Sequence, residues 1–138
     1  MARHSVAAGL SRRLTERLRR LAVLDAVVNN ADRKGGHLLP AAGERLYGID
    51  HGVTFHAENK LRTLLWGWAG DPLTAEALAA LDALQEALED GAPLAARLGE
   101  LITPAELVAT RARVGALLES GKHPEPSGEW PAIPWPPV

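Results

Sequence analysis

Between Ser5 and Asn29 the apolar residues Leu10, Leu14, Leu18, Leu21 and Val28 recur at intervals of three, four and seven, the spacing that gathers side chains on one face of an α-helix. Arg12, Arg13, Arg17, Arg19 and Arg20 fall mainly between them. The segment therefore reads as an amphipathic helix whose arginine-rich face is either solvated or turned to an anionic surface or a partner lobe. The pattern breaks at Asn29. From there to Gly52, glycines and one proline punctuate two short apolar runs, Leu38-Leu39 and Leu46 to Ile49. Short apolar runs bounded by glycine predict a loop, a small β-hairpin and a second loop.

Helical spacing returns at Leu61, Leu64, Leu65 and Trp68, which predict a short helix from Glu58 to Gly70 pinned to the core by Trp66 and Trp68. Thr74 then stands as a cap before Leu78, Leu81, Leu84 and Leu88, a stronger helix that Gly91 ends. A third pattern, Leu94 to Leu101, stops at Thr103-Pro104. Proline at the first helical position, with Glu106 three residues after Thr103, is the capping-box signature of a last helix running to Glu119 and closed by Gly121. Six of the ten prolines and two of the four tryptophans fall after Gly121. That tail is expected to be extended, either packed by its tryptophans or free. The predicted fold is mainly α with a small β-hairpin, one domain over residues 1–120 followed by a Pro/Trp-rich extended tail over 121–138.

Composition removes several classes of function. With 46% hydrophobic and 23% charged residues among 138, the chain suits one domain with a real core. The balance of 15 basic and 17 acidic residues leaves a net charge of −2, and no global field draws the chain to nucleic acid or an anionic membrane. Cysteine is absent, which excludes disulfides, thiolate metal sites and a cysteine nucleophile and fits a reducing cytoplasm. Neither a signal peptide nor a membrane span is expected, because no long uninterrupted apolar stretch occurs.

Chemistry-bearing residues concentrate between Asn29 and His56, where Asp32, Arg33, Lys34, His37, Asp50, His51 and His56 sit around glycine-rich turns. Loops held between rigid elements are where such chemistry usually resides. Two aspartates flank a hairpin-sized insert whose ends can meet. One carboxylate could then accept a proton and the other hold a divalent cation. Aspartate also favours turns on its own account, so the residues by themselves leave both readings open. A metallohydrolase set of His37, Asp50, His51 and His56 is a further alternative.

The run L-D-A-V-V-N-N-A-D-R-K-G-G-H-L-L, from Leu24 to Leu39, resembles the catalytic loop of the phosphatidylinositol 3-/4-kinase superfamily, with Asp32-Arg33 as its aspartate-arginine pair. Y-G-I-D-H-G-V-T-F, from Tyr47 to Phe55, resembles that superfamily's metal-binding D-x-G segment through Asp50 and Gly52. Together with the K-L-R-T-L-L-W-G-W run from Lys60 to Trp68, the two motifs are most similar to actinobacterial phosphatidylinositol-kinase-like proteins. The resemblance covers roughly residues 10 to 75 and implies a protein-kinase-like C-terminal lobe, with motif loops at 29–37 and 47–56, that uses ATP and magnesium or manganese. By it, Asp32 orients the acceptor hydroxyl or serves as base, and Asp50 holds the metal that bridges nucleotide phosphates. Lys34 contacts the transferring phosphoryl group, Arg33 is either a nucleotide contact or a salt bridge within the loop, and His37 takes the place of the usual metal-binding asparagine.

A G-x-G-x-x-G loop does not occur, and the lysines are Lys34, Lys60 and Lys122, none on a strand preceding the catalytic loop. The resemblance thus implies a C-lobe without its N-lobe, which would be supplied in cis or by another chain. The chain by itself would then bind nucleotide weakly and turn nothing over. The alternative is a kinase-derived binding module that catalyses nothing.

Overall fold

The computed structural model describes residues 12–138. The portion of the first predicted helix before Arg12, Leu10 included, lies outside the described residues. The elements are α1 (Arg12–Val28), a hairpin of β1 (Leu38–Ala41) and β2 (Arg45–Gly48), then α2 (Ala75–Ala87), α3 (Pro93–Gly99) and α4 (Pro104–Ser120). The mainly helical class with one small hairpin is therefore as expected. Among the described residues no helix is long and apolar enough to cross a membrane.

α1 is the strut shared by two apolar clusters. Leu18 and Ala22 pack with Leu65 and Trp68, against which Leu21, Leu38 and Leu46 lean, so this cluster carries the hairpin. Four residues further along, Ala26 and Val27 join Leu73, Leu81, Leu88, Leu107, Val114 and Leu117 from α2, α4 and their connections. Leu81, Leu88 and Val114 are buried almost completely, and each such side chain contributes about 1.5–3 kcal/mol. The arginine face of α1 is not simply solvated. Arg19 donates to the Pro72 carbonyl at 2.6 Å, and Arg20 grips the Glu76 carboxylate with two nitrogens at 2.6 and 3.0 Å. Both contacts tie α1 to the start of α2.

α2 and α4 begin where their caps predict. The Thr74 hydroxyl accepts from Ala77 N–H, and Thr103 and Glu106 form the reciprocal capping box. Gly121 ends α4 with φ at 66°, a left-handed conformation that glycine adopts without penalty. In the hairpin Leu39 faces Tyr47 and Leu38 faces Gly48, and Ile49 N–H donates to the His37 carbonyl, carrying the pairing one step further. A Cβ on Gly48 would come within 2.9 Å of Leu21. A larger residue there would require the Leu21 side chain to shift.

The helix expected from Glu58 to Gly70 does not form. Arg62 N–H donates to the Asn30 carbonyl, Arg33 N–H to the Arg62 carbonyl and Leu64 N–H to the Arg33 carbonyl, so the segment lies alongside the first motif loop. Its backbone groups are satisfied across the chain instead of four residues back, and the leucine spacing serves an irregular strap. The tail is extended and packed. Ala132 O accepts from both Thr63 N–H and the Trp66 indole, Gly35 N–H donates to Pro137 O, and Pro134 is fully buried.

His123, where the tail begins, is buried beside Trp68, with its Nε2 accepting from Arg19 Nε at 3.1 Å. Burial and then the Arg19 guanidinium lower its pKa to about 4, against an opposing pull from Asp71. Between about 4 and the ordinary value near 6.5 the unfolded chain binds the extra proton and the folded chain does not. Stability present above pH 6.5 will therefore fall on acidification toward about pH 4, by on the order of 1–3 kcal/mol from this residue. Urea unfolding across this range should show a shallower pH slope for His123→Asn than for the unsubstituted chain. Equal slopes would remove His123 from the account.

Candidate functional site

The centre of the motif region is a buried ion pair that is not obvious from the sequence. Asp25, on the last turns of α1, accepts from Arg33 Nε and a terminal nitrogen at 2.8 and 2.9 Å, and both side chains are completely buried. Asn30 donates to the same carboxylate at 3.2 Å. The second terminal nitrogen of Arg33 donates to the Ile49 carbonyl at 2.8 Å, and His51 Nε2 stands 2.8 Å from the guanidinium. A guanidinium carries donors only, so His51 Nε2 is the acceptor. One residue thus joins the end of α1, the first motif loop and the second. Every nitrogen of the buried guanidinium is thus engaged within the protein, the arrangement of the salt bridge expected as one of its two roles.

A second tie runs through Asn29, which caps α1 with φ at 56°. Its amide donates to the carbonyls of His56 and Glu58 at 2.9 and 2.6 Å, and its carbonyl accepts from Lys60 N–H. The short polar side chain tolerates the left-handed conformation, while the carbonyls that the finished helix leaves open at Val27 and Val28 accept from Arg113 Nε and Phe55 N–H. Ala31 N–H donates to the Val53 carbonyl, so the two motif loops are also joined backbone to backbone.

The hairpin then returns Asp50 to the first loop. His37 Nδ1 accepts from Lys34 N–H at 3.2 Å, and His37 Nε2 lies 3.2 Å from Asp50 Oδ2. With Nδ1 accepting, the ring proton resides on Nε2 and is donated to Asp50. In this arrangement His37 orients the carboxylate of Asp50. Asp50 remains more than half exposed. It adopts φ of 61°, and Phe55 five residues later adopts 68°. For a bulky residue such as phenylalanine this is a strained conformation, of the kind that surrounding structure enforces at functional loops.

Asp32 is placed differently. Its N–H donates to Asn30 Oδ1 in a tight turn, and its carboxylate lies 3.8 Å from Arg62, whose Nε donates to the Ala31 carbonyl. The hairpin thus brings His37 and Asp50 together, and the ion-pair partner of Asp32 is Arg62. Lys34 is half-buried, and its ammonium has no ion-pair partner among the described residues.

The set His37, Asp50, His51 and His56 does not assemble. His51 is turned to Arg33, and His56 Nδ1 accepts from Glu58 N–H at 2.9 Å. Among the described residues no group of three or more histidine, aspartate and glutamate side chains is arranged to hold a metal. A magnesium ion bound through one carboxylate and substrate phosphates needs no such group.

Sequence reasoning passed over Asp25 and the bonding role of Asn29. Asp25 did carry a signal: it stands seven residues after Leu18, on the buried stripe of α1. A carboxylate in an apolar stripe must find a buried cation, and Arg33 is the one the turn brings back.

Comparison with known proteins adds one relative. No protein-family model matches the chain, and no solved structure matches it. Protein Rv2133c of Mycobacterium tuberculosis is similar to it, with 52% identity over 120 residues, which make up 87% of this chain and 42% of that protein. The chain thus spans about two fifths of the length of the curated relative that it matches.

Proposed function

We propose that this chain is the motif-bearing, C-lobe-like part of a phosphatidylinositol 3-/4-kinase-like phosphotransferase. What carries the reading is the return of Asp50 across the hairpin onto His37 while Arg33 locks the two motif loops together. Phosphoryl transfer requires little beyond positioned charge, and the two loops must therefore hold fixed relative positions. In this reading Asp50, aimed by His37, offers its free oxygen to magnesium or manganese, which neutralises phosphate charge when bound. Asp32, steadied by Arg62, orients the acceptor hydroxyl. Lys34 supplies a mobile positive charge to the transferring group. Arg33 and Asp25 are positioning residues that touch no substrate. The reading keeps ATP as phosphoryl donor and a nucleotide-covering lobe, in cis or from a second chain, as the partner, and it expects the reaction in the cytoplasm.

Such a cleft needs donors from both sides of the nucleotide, so the 138-residue chain by itself should bind ATP weakly and show no transfer above background. The test pairs that chain with the full-length mycobacterial relative, both incubated with γ-labelled ATP and manganese. Metal-dependent transfer or ATP hydrolysis by the full-length protein alone is the expected result. Tight ATP binding and turnover by the short chain would refute the divided cleft. Metal-dependent nucleotide binding without turnover in the full-length protein would instead support a kinase-derived binding module.

A further inference from the structure

A cavity formed by the described residues lies away from the motif carboxylates. α4 carries Ala109, Ala112 and Ala116 on one face, and these short side chains leave a space of about 750 Å³ between α4, residues 57–61 and the chain after Gly121. Volumes of about 300–1,000 Å³ are those of small-molecule sites. Asp32, Lys34, His37 and Asp50 do not line it, and of the residues of the centre described above Asn29 borders it.

The wall determines what fits. Leu61, Trp66 and the three alanines supply an apolar surface. The Trp66 indole N–H is already bonded to Ala132 O, which fixes the ring so that what it offers a ligand is its carbon framework. Arg113 also lines the space, and each of its nitrogens already donates, to the Val27 and His56 carbonyls and the Thr110 hydroxyl, which fixes the guanidinium in place. It is wall, not grip. His123 Nε2 is likewise occupied by Arg19. Lys122 differs: it is exposed at the margin and its ammonium has no ion-pair partner among the described residues. Glu125, the acid in the lining, has its carboxylate set against Gly70, 3.1 Å from where a Cβ would stand.

We infer that this cavity binds a small amphipathic anion, an apolar ring or short acyl chain bearing one carboxylate or sulfonate, with its body between Trp66 and the alanine face of α4 and its charge at Lys122. Apolar burial provides the affinity, and the single marginal cation selects the charged end.

The experiment titrates the 138-residue chain with 8-anilinonaphthalene-1-sulfonate by fluorescence and with octanoate and octanol by calorimetry. Saturable one-to-one binding of the sulfonate is expected. Ala112→Leu, which fills the cavity, should weaken it by about tenfold or more without lowering the thermal midpoint. Lys122→Ala should weaken octanoate by roughly threefold and leave octanol unchanged. If Ala112→Leu does not fold, Ala109→Val on the same wall takes its place. Sulfonate binding equal in the parent and the filled variant would overturn the site. Octanoate binding indifferent to Lys122 would overturn the anionic ligand.

Discussion

Asp25→Ala will lower the unfolding free energy by about 3–5 kcal/mol, the range for removing one partner of a buried ion pair. The loss exceeds that of an ordinary hydrogen bond because Arg33 would be left charged, fully buried and facing an apolar gap. A domain of this size has about 5–15 kcal/mol to lose, so the variant will be marginal at 37 °C. Urea titration followed by circular dichroism, with Arg13→Ala as the surface control, measures it. Arg13 is about three quarters exposed beside Glu44, and its removal should change stability by less than about 1 kcal/mol. A drop below 1 kcal/mol for Asp25→Ala would mean that water reaches Arg33, and the pair would not be the lock described here. Arg33→Met combined with Asp25→Leu should recover part of the loss, since apolar replacement of both partners removes the stranded charge. It would still leave the Ile49 carbonyl and His51 without their donor.

The second large effect concerns activity and rests on the proposed phosphotransferase reading. In a transfer-competent protein containing this chain, Asp50→Ala should lower kcat by about 10²–10³ or more, the scale seen when one preorganised electrostatic contact to a developing charge is removed. His37→Ala should cost less, about 10–100-fold, because it acts through the carboxylate that it aims. The two roles separate by metal titration. His37→Ala should shift the manganese concentration needed for half-maximal rate and largely recover at saturation, whereas Asp50→Ala should not recover at any concentration. If both variants recover alike, Asp50 is not the metal-binding oxygen. If neither loses rate, the motif loop is a turn and nothing more.

Several elements were legible in the linear pattern. Thr74 and Thr103 each announced a helix start, because a cap is a bond between residues three apart. The hairpin was visible in two short apolar runs with Gly43 between them, where the turn takes φ of 73°. The candidate carboxylates at 32 and 50 were marked by the motifs around them. The segment from Glu58 to Gly70 was misread for a physical reason: its leucines have helical spacing, yet its N–H and C=O groups pair with Asn30 and Arg33, about thirty residues earlier. Periodicity reports which side chains are buried and says nothing of which backbone groups a neighbouring loop will capture.

The sequence by itself determined the helical class, the caps, the hairpin and the cluster of chemistry-bearing residues, because each depends on side chains and backbone within a few positions of one another. Only the tertiary structure decided that Asp25 and Arg33 form the buried lock, that His37 aims Asp50 while Arg62 holds Asp32, and that the proline-rich tail closes over the strap through Ala132 and Pro137. Those contacts join residues from eight to about a hundred positions apart. Their stability comes from withdrawing charge and backbone polarity from water together, a cooperative condition that no local pattern encodes.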